Sequence, residues 1–245
     1  MTSRLAFTHG GHRYKIDGQP VPSVTTLLKV LSKDALVQWA ANSAADFATD
    51  HWSDLSLLAP SERRALIARA HQRARDKAAA KGTQVHAWAD DLLAGRPVEI
   101  PEEHVATVEA FARWWERAGF TTIATERAVW SPADDLDGRA YAGRFDLLAE
   151  HPRWGVTLID WKSGKSVYSD FAVQLAAYAS AWNHVDGDQD IPAPLIRTLA
   201  VVHITPDGPT LHTLDHVQRG NAQARWDLVR ALASHDLPEF QQEAL

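Results

Sequence analysis

The chain has 245 residues, 45% hydrophobic and 23% charged, enough to bury a core without cross-links or a structural metal. It holds no cysteine, which excludes a disulfide framework, a thiolate zinc site, a cysteine nucleophile and a thiolate-held iron–sulfur cluster, and agrees with a reducing, cytoplasmic setting. The formal net charge is −6, no apolar run approaches the ~20 residues that span a bilayer, and the opening MTSRLAFTHGGHRYKIDG has no signal-peptide core, so no membrane partner is expected.

In chain order, HRYKIDGQPVPSV (residues 12–24) reads as a short hairpin or extended entry, turning at Asp17-Gly18 and Pro20. Ser23 or Thr25 can cap a helix that continues to about residue 48, with Ser32-Lys33-Asp34 splitting it in two. A long helix is expected from Pro60-Ser61 to about Ala80. Residues 61–82 carry seven basic and two acidic side chains, which is either a phosphate-steering face or an ordinary solvated one. Gly82-Thr83 is expected to interrupt this helix, with Thr83 capping the next, QVHAWADDLLAG, which Gly95 ends. A further helix over 102–118 stops at Gly119.

The pattern then turns to strands. Residues 121–130 and 139–150 alternate, separated by the turn-rich SPADDLDG, and WGVTLIDWKS (154–163) is apolar enough for a central strand. A helical period returns over 169–185, followed by strands at 195–205 and 210–214 and a helix from Asp215 to about Ser234. Helices over 1–118, a β-β-β-α-β core over 119–205 and a strand and helix over 206–245 read as one α/β domain with a mixed central sheet. The three consecutive strands suggest a meander, and the crossover helix suggests a parallel neighbour for the fourth.

Two aspartates interrupt these strands, although Asp is depleted in strands and costly to bury unpaired. Asp146 stands in GRFDLLA, and Asp160 ends VTLID two residues before Lys162. Equal parity puts Asp160 and Lys162 on one face, and Asp146 can lie beside them, so that the three converge at a sheet edge. The group is either a half-buried salt bridge or a divalent-cation site with an adjacent lysine. The spacing alone does not choose between them.

GRFD, thirteen residues, then DWKSGKSVYSDFAVQLAAYA resembles the core of the PD-(D/E)XK nuclease superfamily, in particular its RecB-like exonuclease branch. KGTQVH (81–86) stands where that branch carries an upstream histidine element, and Gln174 and Tyr178 match its Gln-x-x-x-Tyr on the helix after the lysine. HRYKIDGQPVPSVTTLL is similar to the opening of phage-encoded members. The resemblance implies a restriction-endonuclease-like fold with a helical N-terminal elaboration, and a metal-dependent DNA exonuclease in phage-type recombination, replication or repair, acting in a bacterial or phage-infected cell. It implies His86, Asp146, Asp160 and the Trp161 carbonyl as ligands of one or two Mg2+ or Mn2+ ions, and Lys162 as the catalytic lysine. Gln174 and Tyr178 would position the DNA backbone or support the lysine, and Glu126 matches an acidic position near the metals. The DNA-contact candidates are Arg69, Arg73, Arg75, Lys81, Arg144, Lys165 and Tyr168. Asp90, one turn after His86, either orients that histidine or is solvated.

Two other readings stand beside this one: a structure-specific or flap endonuclease of the same fold, and a DNA-binding protein with a decayed site. A single-strand annealing partner follows only by analogy. Trp39, Trp88 and Trp114 could stack on unpaired bases, although tryptophans in such helices are usually core. SGKS (163–166) is no P-loop, since Ile159 stands where its first glycine belongs.

Overall fold

The computed structural model describes residues 5–8, 13–31, 34–133, 139–182 and 194–234. Three short strands, β1 (Leu5–Thr8), β2 (Arg13–Ile16) and β3 (Gln19–Val21), pair antiparallel in that order. Asp17 and Gly18 join β2 to β3 with φ of 51° and 80°, the mirror-image turn that matches strand twist. β1 is not among the elements the sequence signals, because four residues are too few to establish a period.

Ser23 caps α1 (Val24–Leu27), its Oγ accepting from the Thr26 amide at 3.1 Å. A single 3-10 turn follows to Val30, and α2 (Asp34–Asp50) begins after it. Of the expected break at Ser32-Lys33-Asp34, the first two residues lie outside the described residues. Next come α3 (Trp52–Ser56), α4 (Pro60–Ala68) and α5 (Ala70–Leu93). Gly82 does not interrupt the helix, contrary to the sequence expectation, and α5 runs straight through it. One interior glycine costs only about 1 kcal/mol, and three alanines, the best helix formers, precede it at 78–80. Thr83 caps nothing. Its hydroxyl donates back to the Ala79 carbonyl at 3.1 Å. The chain breaks instead at Arg69 (φ −92°, ψ 0°), between α4 and α5. α6 (Glu102–Ala118) stops at Gly119, whose φ of 74° supplies the left-handed cap.

The main sheet has the order β4 (Thr121–Ser131), β5 (Tyr141–His151), β6 (Gly155–Lys162), β7 (Thr198–Thr205), β8 (Gly208–Thr213). Neighbours are antiparallel except β6 and β7, which are parallel and connected through α7 (Ser169–Ala181). α8 (His216–Ser234) follows. Residues 134–138 of the expected turn and 183–185 of the expected helix end lie outside the described residues.

Strand alternation feeds two cores. Leu148, Leu158, Leu199 and Val201 pack under α1, α7 and α8. Leu147, Ile159, Trp161 and Val202 pack under α6 and the C-terminal half of α5. Trp226 of α8 is fully buried and donates its indole N–H to the Tyr141 hydroxyl (3.2 Å), which donates to the Ala177 carbonyl (2.9 Å), tying α8, β5 and α7 together. Phe145 belongs to the first core and Leu147 to the second, although both are odd-numbered. The alternation of β5 therefore switches face at Asp146. This is a restriction-endonuclease-like α/β core. No helix among the described residues is long and apolar enough to cross a membrane.

Candidate active site

The face switch at Asp146 coincides with the point where two strands part. The β5–β6 ladder runs from His151↔Gly155 to Leu147↔Ile159 and stops there. Asp146 Oδ2 accepts from the Trp161 amide at 2.8 Å and closes the fork with a side chain. The aspartates thus converge between two interior strands, not at a sheet edge as the sequence suggested. The reason is that β7 and β8 extend the sheet beyond β6.

Into the fork come side chains from five elements, α5, β4, β5, β6 and α7. His86, from α5, sets its Nδ1 3.2 Å from Asp146 Oδ1. Glu126, on β4, has φ of 49°, a left-handed conformation inside a strand that costs of order 1 kcal/mol or more for a residue with a Cβ. It aims its carboxylate inward, where Oε2 meets Arg144 Nε at 2.8 Å. One donor atom from each of His86, Glu126 and Asp146 lies within 4.8 Å of the other two. Asp160 stands outside that trio. Its Oδ2 is 2.5 Å from Lys162 Nζ, and Gln174 Nε2 approaches its Oδ1 at 3.4 Å. Gln174 Oε1 accepts from Lys162 at 3.4 Å, and its Nε2 donates to the Tyr178 hydroxyl at 2.9 Å. Lys162 Nζ also lies 4.7 Å from the centre of the Phe171 ring.

Charge is balanced unevenly here. Burial pushes Glu126 up to about 7, reinforced by Asp146 and opposed by Arg144. Burial likewise raises Asp160 to about 6, although Lys162 pulls the other way. For Asp146 burial is outweighed by His86, Lys162 and the Trp161 amide, so it stays below its ordinary value. Burial opposes charge on His86 too, yet Asp146 lifts it to about 8. Burial works against the Lys162 ammonium, and Asp160 overcomes it. Burial also holds the Tyr178 hydroxyl far above its usual range, so it stays protonated.

These groups line a cleft of about 750 Å³. Tyr14, Ser23, Thr25, Thr26 and Gly143 also line it. The sequence reading missed them, since nothing in local pattern brings the N-terminal hairpin to the β5 strand. Asp90 lines the cleft but pairs with Arg96. Trp161 is buried edge-on against Phe111. Trp88 is buried and Trp114 packs against the same core, whereas Trp39 is half-buried on α2. Of the basic residues, Arg73 is engaged by the Leu66 carbonyl (3.0 Å) and the Phe47 ring, and Arg75 pairs with Asp76. Arg69 sits at the α4–α5 break and Lys81 on exposed α5. Lys165 and Tyr168 are exposed on the loop before α7.

A family model for the PD-(D/E)XK nuclease superfamily matches residues 52–244. The chain belongs to that superfamily. Membership implies metal-dependent nuclease activity on DNA, and the His/Glu/Asp trio is a donor set able to hold a divalent cation. A search of curated proteins gave no match. Among solved structures, one described as "Crystal structure of SSO0001" matches at 16% identity with a TM-score of 0.31. The match covers 48% of this chain and 53% of that one, about half its length.

Proposed function

We propose that the protein is a DNA exonuclease of the RecB-like branch, working as a single domain in phage-type recombination, replication or repair. The observation that carries this reading is the meeting, in one cleft, of a His–Glu–Asp trio with an Asp160–Lys162 pair. His86 and Asp146 would hold the cation, with Glu126, Asp160 and the Trp161 carbonyl as further donors. Carboxylates suit Mg2+ or Mn2+, and the imidazole favours Mn2+. When bound, such an ion lowers the pKa of water and offsets charge on the scissile phosphate.

The chain's own groups supply the rest. Lys162, held ammonium by Asp160 and oriented by Gln174, stands ready to stabilise charge developing on the phosphate. Tyr178 fixes the Gln174 amide, so its oxygen faces the lysine and its nitrogen faces Asp160. Arg144 is a phosphate contact that Glu126 engages in this structure. Arg75 lies about three helical turns before His86 on the same face of α5, and with Arg69, Lys81, Lys165 and Tyr168 would guide the strand. A single-strand annealing protein is the partner this role calls for.

The test is cleavage of end-labelled linear and closed circular DNA, single- and double-stranded, with Mg2+, Mn2+ or EDTA. Metal-dependent loss of linear DNA alone is expected. Lys162→Ala and Asp160→Ala should abolish it while leaving the melting temperature near normal. Cutting of circles would replace the exonuclease reading with an endonuclease. Wild-type rates in either variant would overturn the assigned roles.

A further inference from the structure

We infer that an unpaired base of the substrate strand stacks in a second groove, separated from the catalytic cleft by the Phe171 ring. This inference rests on the nuclease reading above. Phe171 faces two ways. Lys162 Nζ approaches its ring at 4.7 Å from the cleft side. The same residue also lines a groove of about 710 Å³ between α7, β7 and α8. Tyr168 stands at the mouth, edge-on to Phe171 with centroids 5.7 Å apart, and is 52% exposed. Leu228, 70% exposed, forms the far wall, and Asn221 and Arg225 supply polar groups along it.

An exposed tyrosine and leucine over an apolar floor are an unfavourable surface to leave in water. Three features select a nucleobase as the occupant. Phe171, which lines the groove, lies against Lys162, which lines the cleft. Its mouth is aromatic, and aromatic rings stack on any base. Its flank carries an amide and a guanidinium, which pair with base edges and phosphate. A strand whose phosphate lies against Lys162 has its neighbouring base within reach of the far side of Phe171. The base must be unpaired to enter, so the groove favours single strands or frayed ends.

The test uses a fluorescein-labelled thymidine strand in which one base at a time is replaced by an abasic spacer. Binding is read by anisotropy in EDTA and cleavage with Mn2+. The wild-type chain should lose about tenfold in affinity at one or two adjacent positions. Tyr168→Ala and Leu228→Glu should bind the intact strand about tenfold more weakly and be indifferent to the spacer at those positions. Melting curves check that both variants fold. Binding and cleavage with no position dependence would overturn the inference alone, as would position dependence undiminished in both variants. A Leu228→Glu variant that binds DNA normally but turns a dimer into a monomer would give the groove to a second copy, also overturning it. Failure to bind or cut the intact strand would overturn the nuclease reading, and the inference with it.

Discussion

Gly143 on β5 has an ordinary backbone conformation, so space alone demands a glycine. A Cβ there would stand 2.5 Å from Tyr178 Cε1, 3.0 Å from its Cδ1 and 3.1 Å from Val24 Cγ2. Carbon atoms rest at about 3.5–4.0 Å, so Gly143→Ala must push the Tyr178 ring by about 1 Å. That ring is buried, and overpacking of this kind costs about 1–3 kcal/mol. At roughly 2–4 °C per kcal/mol, the melting temperature should fall by several degrees. The larger effect is on chemistry. Moving Tyr178 releases Gln174, and Gln174 bridges Asp160 and Lys162. A misplacement of about 1 Å can cost on the order of 100-fold in rate. Single-turnover cleavage should drop by about that much, while Mn2+ affinity, measured by calorimetry, stays near wild type. Adding Tyr178→Leu to Gly143→Ala should restore stability but not rate, because the hydroxyl is gone. A Gly143→Ala variant that melts and cuts like wild type would refute the reasoning. So would a rate loss no greater than its loss of folded protein.

Glycine 82 should behave oppositely. Nothing lies within 4 Å of its Cβ position, so Gly82→Ala should stabilise by about 0.5–1 kcal/mol in urea unfolding. The pH dependence has a definite sign. Glu126, raised from 4.5 to about 7, and His86, raised from 6.5 to about 8, both favour their protonated forms on folding. Their contribution is full below 4.5 and 6.5, so metal-free stability should fall as pH rises through 7 and then 8. Cation binding should tighten over the same window and release protons, seen as buffer-dependent heats. Arg230, buried, donates to the carbonyls of Arg139 and Pro132. Arg230→Met should cost about 2–4 kcal/mol by leaving them unmet. Arg73→Ala should lower the melting temperature by freeing Phe47 and Leu66, whereas Arg75→Ala should mainly flatten the salt dependence of DNA binding, by about one unit of slope.

The sheet was legible because its signals are local. Residues 121–130, 139–150, 154–163 and 195–205 alternate or run apolar, and each lies within a few residues of a strand in the fold. Asp160 and Lys162 share a face because parity is a two-residue property. The helix break was misplaced for the same reason. Glycine at 82 is a conspicuous local mark, while the real break at Arg69 has no residue type that announces it. What pairing decides was invisible. The approach of Tyr14 and Ser23 to β5 and the space Tyr178 takes beside Gly143 arise between segments more than 30 residues apart, and the positive φ of Glu126 falls on a residue type that does not announce it. Asp160's commitment to Lys162 instead of the His–Glu–Asp trio belongs to this class. Spacing places three groups nearby, and only geometry says which of them touch.

Asp146 divides its two oxygens between different tasks, one on the Trp161 amide and one toward His86. The last rung of the β5–β6 pairing is therefore itself a piece of the candidate active site. Fraying at this end of the sheet and disassembly of the cleft are one event, and the Trp161 amide proton keeps time for both. Its exchange with solvent would read the readiness of the site without a substrate. A glutamate at 146, one methylene longer, could keep either appointment but not the two together.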